Sequence, residues 1–248
     1  MGTDVNSIQP TPSDFGEFVY CGVKWALNKN RLLDSLKKAK YSSYDPSYKS
    51  QESYNNLVLG QQNEHMCIDW VQHKHGASPQ QIFFNGTGEN NPNFLTSEIK
   101  PLGINMLCKP DLIISKGNQN LLFEFKAAKD YSYLLYSEFD SAHAQVWCYT
   151  TLQEVKIDEY YLLRYFINPS KSRLTKLTPT ELNTSKFEKL FEQYIKAIES
   201  LNESNLEGHR GKDLTGMSLD MFNMPNEEKI RKCSGCVWFR LFICKPDL

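Results

Sequence analysis

An α/β fold, with a central mixed sheet flanked by helices, is what this sequence predicts, in a single domain covering residues 1–248. Three observations predict it. Periodic segments follow one another as helix, strands, helix, strand. Two apolar runs, Leu107–Ser115 and Asn120–Ala127, flank Gly117-Asn118, a hairpin signal. The chain is 40% hydrophobic and 23% charged, ordinary globular material that is long enough to bury a full core.

Taken in order, Thr11-Pro12-Ser13-Asp14 reads as a helix start, with Thr11 or Ser13 as cap and an acid in the first turn. That helix runs through Phe18 and Cys21 to Leu27. Residues 37–54 form a polar connection, and a second helix fits Leu57 to Val71. Strands are expected near Gln81–Phe84, Glu98–Ile104, Leu107–Ser115 and Asn120–Ala127. A helix from about Glu138 to Leu152 and a strand from Glu159 to Phe166 complete a core of about residues 54–167. Beyond it, an amphipathic helix within residues 180–206 carries Phe187, Leu190, Phe191, Tyr194, Ile195 and Ile198 on one stripe. No internal repeat is present.

Bulk properties exclude some classes. No apolar run approaches membrane-spanning length, and the polar segment Met1 to Asp14 is no signal peptide, so a soluble, cytoplasmic protein is expected. A net charge of −1 gives no whole-chain nucleic-acid footprint, although a local groove can be basic on a neutral chain. Seven cysteines without a secretory signal favour thiols or metal ligands over disulfides.

The chemistry concentrates in two stretches. Pro110-Asp111 opens the apolar run Leu112-Ile113-Ile114, and thirteen residues past the Asp comes Glu124-Phe125-Lys126 within Leu121 to Lys126. Period-two alternation points Glu124 and Lys126 to one side of their strand. An isolated Glu-x-Lys is more often an exposed salt-bridged face. Here Leu121, Phe123 and Phe125 fill one side and Leu122 shares the other with the charges, so the strand reads as central and its ion pair as buried. Carboxylates at Asp111 and Glu124 offer hard oxygen ligands suited to Mg²⁺ or Mn²⁺. A cation there would activate water and offset phosphate charge, with Lys126 orienting the water or stabilising developing charge.

Further along, Gln145 and Tyr149 are four apart and share a helix face, a pair able to bind phosphate or steady a catalytic carboxylate. Upstream, Glu64 and His65 both qualify as a third metal ligand. At about 100° per residue, Glu64 shares a stripe with Leu57, Gly60, Cys67, Ile68 and Val71, whereas His65 points toward Gln61 and Asp69. An acid amid an apolar stripe is costly unless paired or metal-bound, which favours Glu64 and keeps His65 as the alternative. His73, His75, His143 and His209 read as surface or packing histidines.

Cys233-Ser234-Gly235-Cys236, followed by Cys244, suggests a thiolate-rich tetrahedral site, with Cys21 the best fourth ligand. Such a set would join residues 11–30 to 225–244 and so staple the termini. Structural Zn²⁺, with His209 in place of Cys21, is the alternative, and so is no metal at all. Cys67, Cys108 and Cys148 fall in core elements and read as small buried hydrophobes. A second Cys-Lys-Pro-Asp-Leu at Cys244 to Leu248 lacks a following Glu-x-Lys and receives no catalytic role.

Together Gly60-x-x-x-Glu64, Asp111, Glu124-x-Lys126 and Gln145-x-x-x-Tyr149 resemble the RecB-type branch of the PD-(D/E)XK nucleases. One N-terminal and three C-terminal cysteines are similar to its iron-staple subset, which includes the AddB, Dna-two-type and Cas-four-type nucleases. Chain size and layout are closest to the last, the CRISPR-associated exonucleases. Phe18-Val19-Tyr20-Cys21 also resembles that family's opening motif, with Gly22-Val23 in place of Pro-Arg. The match covers about residues 11–165 and 230–244.

The resemblance implies a restriction-endonuclease-like core and a Mg²⁺- or Mn²⁺-dependent DNA exonuclease acting on single strands. It also implies a [4Fe–4S] cluster needed for fold integrity. A CRISPR integrase or a helicase would be the partner, in CRISPR adaptation, repair or viral DNA processing. Two departures stand out: the Cas-four family usually has His where Glu64 stands, and the Cys236-to-Cys244 gap is longer than usual. The competing reading is a catalytically inactive nucleic-acid-binding or scaffold protein that keeps the fold.

Overall fold

The computed structural model describes residues 9–29, 63–87, 93–127, 139–165 and 172–206. The N-terminal segment forms two helices where one was expected: α1, Pro12–Tyr20, and α2, Gly22–Lys29. Thr11 caps α1 by accepting the Asp14 N–H at 3.1 Å, and Pro12 sits in the first turn, where its missing N–H costs nothing. Cys21 breaks the run in extended backbone, φ −164° and ψ 101°. The corner turns Phe18 onto Trp25, ring centroids 5.5 Å apart, and both onto Tyr194. Aromatic packing therefore overrides a continuous helical pattern.

Residues 63–75 form α3; the expected start of this helix at Leu57 lies outside the described residues. Seven strands are described: β1 (Ile82–Asn85), β2 (Leu95–Ile99), β3 (Ile104–Cys108), β4 (Leu112–Lys116), β5 (Gln119–Ala127), β6 (Glu159–Tyr165) and β7 (Arg173–Leu177). Two sequence expectations fail here. The strand expected over Glu98–Ile104 breaks at a 3₁₀ turn, Lys100–Leu102, closed by Gly103 at φ 62°. The continuous run Leu107–Ser115 splits at Lys109-Pro110-Asp111, because Pro110 has no N–H to give a ladder. β7 was not anticipated.

The main sheet runs β1-β4-β5-β6-β7, and β2-β3 forms a separate antiparallel ribbon. A two-residue turn, Gly117-Asn118, joins β4 to β5, with Lys116 opposite Gln119 and Gly117 at φ 61°. β5 pairs parallel with β6, and the connection carries α4 (Phe139–Cys148), so the sheet is mixed. The helix expected to reach Leu152 ends in a 3₁₀ turn, Tyr149–Thr151. The C-terminal amphipathic helix, α5, spans Thr184–Leu206, inside the expected 180–206 range.

As the alternation predicts, β5 is central and buried on both faces. Leu122, with Ile113 and Leu162, joins the core built by α1, α4, α5 and the ribbon. Leu121, Phe123 and Phe125 pack instead with Cys67, Ile68 and Val71 of α3. Gly16 lets α1 approach α4 closely; a Cβ there would stand 2.8 Å from Gln145 Cγ. Among the described residues no helix is long and apolar enough to cross a membrane.

Candidate active site

Asp111 leaves the β3–β4 connection one residue before β4, and its Oδ2 accepts the Phe125 N–H at 2.5 Å. That bond carries the acid across the hairpin to the C-terminal part of β5. Glu124 is 4% exposed, and its Oε1 accepts from Lys126 Nζ at 2.7 Å. Its Oε2 is buried with no hydrogen-bond partner among the described residues. The three residues meet where β5 and β6 run out together toward their C-terminal ends.

The electrostatics are those of crowded acids. Burial first, then the Glu124 carboxylate, holds the Asp111 carboxyl well above the usual carboxylate range. Lys126 and the Phe125 N–H pull it down, and Glu64 adds a further upward push. Glu64 therefore reaches this site electrostatically from α3. Burial, then Asp111 and Glu64, raise the neighbouring Cys67 thiol to about 12, so it stays protonated. His65, the alternative ligand, is exposed on α3.

Tyr149 stands at the same acids from the 3₁₀ turn that ends α4: burial, then Glu124 and Asp111, push its phenol well up, so it is a neutral hydroxyl. Gln145 is engaged elsewhere, donating its amide Nε2 to Ser13 Oγ of α1 at 3.1 Å. Its visible role is to tie α1 to α4. His75 packs edge-on against Phe123 and Tyr161, and burial lowers its pKa.

Several supporting residues carried no sequence signal. Gly86 donates its N–H to the Asp111 carbonyl at 3.0 Å, and a Cβ there would fall 2.1 Å from the Pro110 carbonyl. Only glycine lets β1 run this close behind the Pro-Asp corner. Ser97, fully buried on β2, donates to the Cys148 carbonyl at 2.5 Å and so pins the end of α4 beside Tyr149. Arg164, buried on β6, is the register partner of Lys126. These depend on tertiary proximity; only the glycine in Asn85-Gly86-Thr87, just after a strand, hinted at a close approach.

Among the described residues, no three His, Cys, Asp or Glu side chains are arranged as a ready metal-ligand set. The donor chemistry nonetheless suits a hard divalent cation, since a buried, unpartnered Glu124 oxygen lies beside a second acid that burial makes costly to ionise. Asp111 and Glu124 would hold such an ion, with Glu64 the nearest further carboxylate. Cys21 lies partly buried at the α1–α2 corner, while Cys233, Cys236, Cys244 and His209 fall outside the described residues.

No protein-family model matches this chain, and no curated protein matches it. Among solved structures, one described as "Crystal structure of SSO0001" is similar with a TM-score of 0.45 and 13% identity, covering 100% of this chain and 90% of that one. A likeness of that size carries no functional argument.

Proposed function

We propose that this protein is a metal-dependent deoxyribonuclease of the PD-(D/E)XK type, RecB-like, degrading single-stranded DNA from an end. The observation that carries the reading is the convergence of Asp111, Glu124 and Lys126 at one end of a buried strand pair, with the Asp111 carboxyl held above its usual range. A structural ion pair has no need of a second acid beside it. A divalent cation bound by these carboxylates would supply Lewis acidity toward the phosphate and the attacking water.

The remaining work falls to side chains. Lys126, held by Glu124 at 2.7 Å, presents a fixed positive charge that orients water and balances charge developing on the phosphate. Tyr149 offers a neutral hydroxyl to a phosphate oxygen, while Gln145 fixes the helix that carries it. Cys21, Cys233, Cys236 and Cys244 are proposed to hold a [4Fe–4S] cluster, or structural zinc, that ties the chain ends together. An integrase or a helicase is the proposed partner class.

Labelled single- and double-stranded DNA incubated with purified protein and Mg²⁺, Mn²⁺ or Ca²⁺ tests the reading. Cleavage of single strands with Mg²⁺ or Mn²⁺, lost in Lys126→Ala, is expected. Binding without cleavage under every metal would favour the inactive scaffold, the reading to which a net charge of −1 and the open choice of third ligand point.

A further inference from the structure

The β2–β3 ribbon turns one face to the core and the other to solvent. Leu95, Ser97 and Ile99 alternate inward on β2, as do Met106 and Cys108 on β3. With Leu95 opposite Cys108 inward, Thr96 and Leu107 form an outward pair, and Phe94 and Lys109 follow just past the two strand ends. Phe94 is 51% exposed and Leu107 60%, two of the four exposed large apolar side chains among the described residues. Lys109 Nζ lies over the Phe94 ring at 5.9 Å from its centroid.

Position makes this patch more than stray surface. Lys109 is two residues from Asp111, on the connection that delivers the acid to the site. The Gly86 approach braces that connection against β1. The ribbon is anchored on its buried side by Ser97 to the helix bearing Tyr149. Its edge is closed at Thr96, whose N–H donates to Glu154, so no strand can add there. A flat aromatic beside a cation, on the strand connection that leads into Asp111, has the chemistry of a single-stranded nucleic-acid contact: the ring stacks a base and the ammonium meets a phosphate.

We infer that the outer face of the ribbon is the substrate-holding platform of this site, with Phe94 and Leu107 stacking unpaired bases and Lys109 pairing with a backbone phosphate. This rests on the nuclease reading above. Glu98, at the far end of the same face, keeps the anion contact at the Lys109 end, nearest Asp111. Every base offers a π-face, so recognition there is sequence-tolerant, and duplex DNA, whose bases are stacked internally, is excluded.

The test separates holding from chemistry. Affinity for fluorescein-labelled oligothymidylate is measured by anisotropy in Ca²⁺, and hydrolysis of bis(p-nitrophenyl) phosphate in Mn²⁺ follows the site without its platform. Phe94→Ala is expected to weaken oligonucleotide binding about tenfold, with Phe94→Trp restoring it and the small substrate unaffected. Lys109→Ala should lower the slope of log affinity against log salt by about 0.7, one phosphate on a single strand. Phe83→Ala, an exposed ring of β1 outside the ribbon, should stay within about twofold. Unchanged affinity in Phe94→Ala, or equal affinity for duplex, would overturn the platform. A wild type that binds oligonucleotide through Phe94 but hydrolyses neither substrate would leave the platform standing and sink the nuclease.

Discussion

Two lysine–glutamate pairs of this protein have almost the same geometry and opposite meaning. Lys176 and Glu159 meet at 2.6 Å across β6 and β7, with side chains 55% and 22% exposed. Lys126 and Glu124 meet at 2.7 Å along β5, at 26% and 5%. Distance does not tell them apart; surroundings do. Glu159 is held below the usual range first by its hydrogen bond to Lys176 and then by Tyr161. Glu124 keeps one oxygen buried without a hydrogen-bond partner among the described residues, and it adds to the upward push that burial already gives Asp111. A surface pair relieves its own charge, whereas the buried one leaves a carboxylate oxygen without a hydrogen bond among the described residues, the oxygen proposed above to face a cation.

The largest effect expected from that contrast is on activity. Lys126→Ala should lower DNA cleavage by at least about 10²–10³-fold, the cost of losing one preorganised charge stabiliser. Lys176→Ala should leave cleavage within about twofold, since surface substitutions away from a site do little. Equal losses in the two variants would erase the distinction.

Next in size is the corner that holds Asp111. Gly86→Ala places a methyl 2.1 Å from a backbone carbonyl, so the Pro110-Asp111 segment must shift. A loss of about 1–3 kcal/mol in denaturant unfolding is expected, together with reduced cleavage.

The same contrast appears in stability without metal. Lys126→Ala strands a buried carboxylate, and it should cost about 1–3 kcal/mol, below the fully buried figure because Lys126 keeps 26% exposure. Lys176→Ala should cost under about 1 kcal/mol, and salt should shrink that further.

The pH dependences carry opposite signs. Asp111 holds its proton to higher pH when folded than when unfolded, so between those two values the folded state binds more protons. Metal-free stability from this group falls as pH rises from the ordinary carboxylate range through the raised one. Glu159 is depressed, so its contribution is present above its unfolded value and fades as pH falls through its folded one. Urea melts across this range should flatten on the high side in Asp111→Asn and on the acid side in Glu159→Gln. Saturating Mn²⁺ should remove the Asp111 slope, because binding displaces its proton.

Legibility in the sequence follows the range of each interaction. The centrality of β5 was legible because alternation along Leu121 to Lys126 leaves apolar residues on both faces, and the hairpin because Gly117-Asn118 supplies a local turn. The expected convergence of Asp111 with Glu124 needed only that hairpin. The break at Cys21 was illegible, since it answers to Tyr194, far along the chain. β7 was missed because Arg173-Leu174-Thr175-Lys176-Leu177 is a short edge strand with only Leu177 fully buried. Gln145 looked like a site residue by spacing, yet its amide nitrogen turns to Ser13, a partner that helix periodicity does not reveal.

On the proposed reading Asp111 and Glu124 form one divalent-cation site, with Lys126 beside it as the charge that orients water. Calorimetric titration of Mn²⁺ into the purified protein above neutral pH tests it most directly, comparing wild type with Glu124→Gln, which keeps the shape and removes the charge. At least one Mn²⁺ should bind per chain, with proton release that varies with buffer ionisation enthalpy, and binding should be at least about tenfold weaker in the variant. Equal Mn²⁺ affinity in both proteins, or no binding to the wild type, would contradict it.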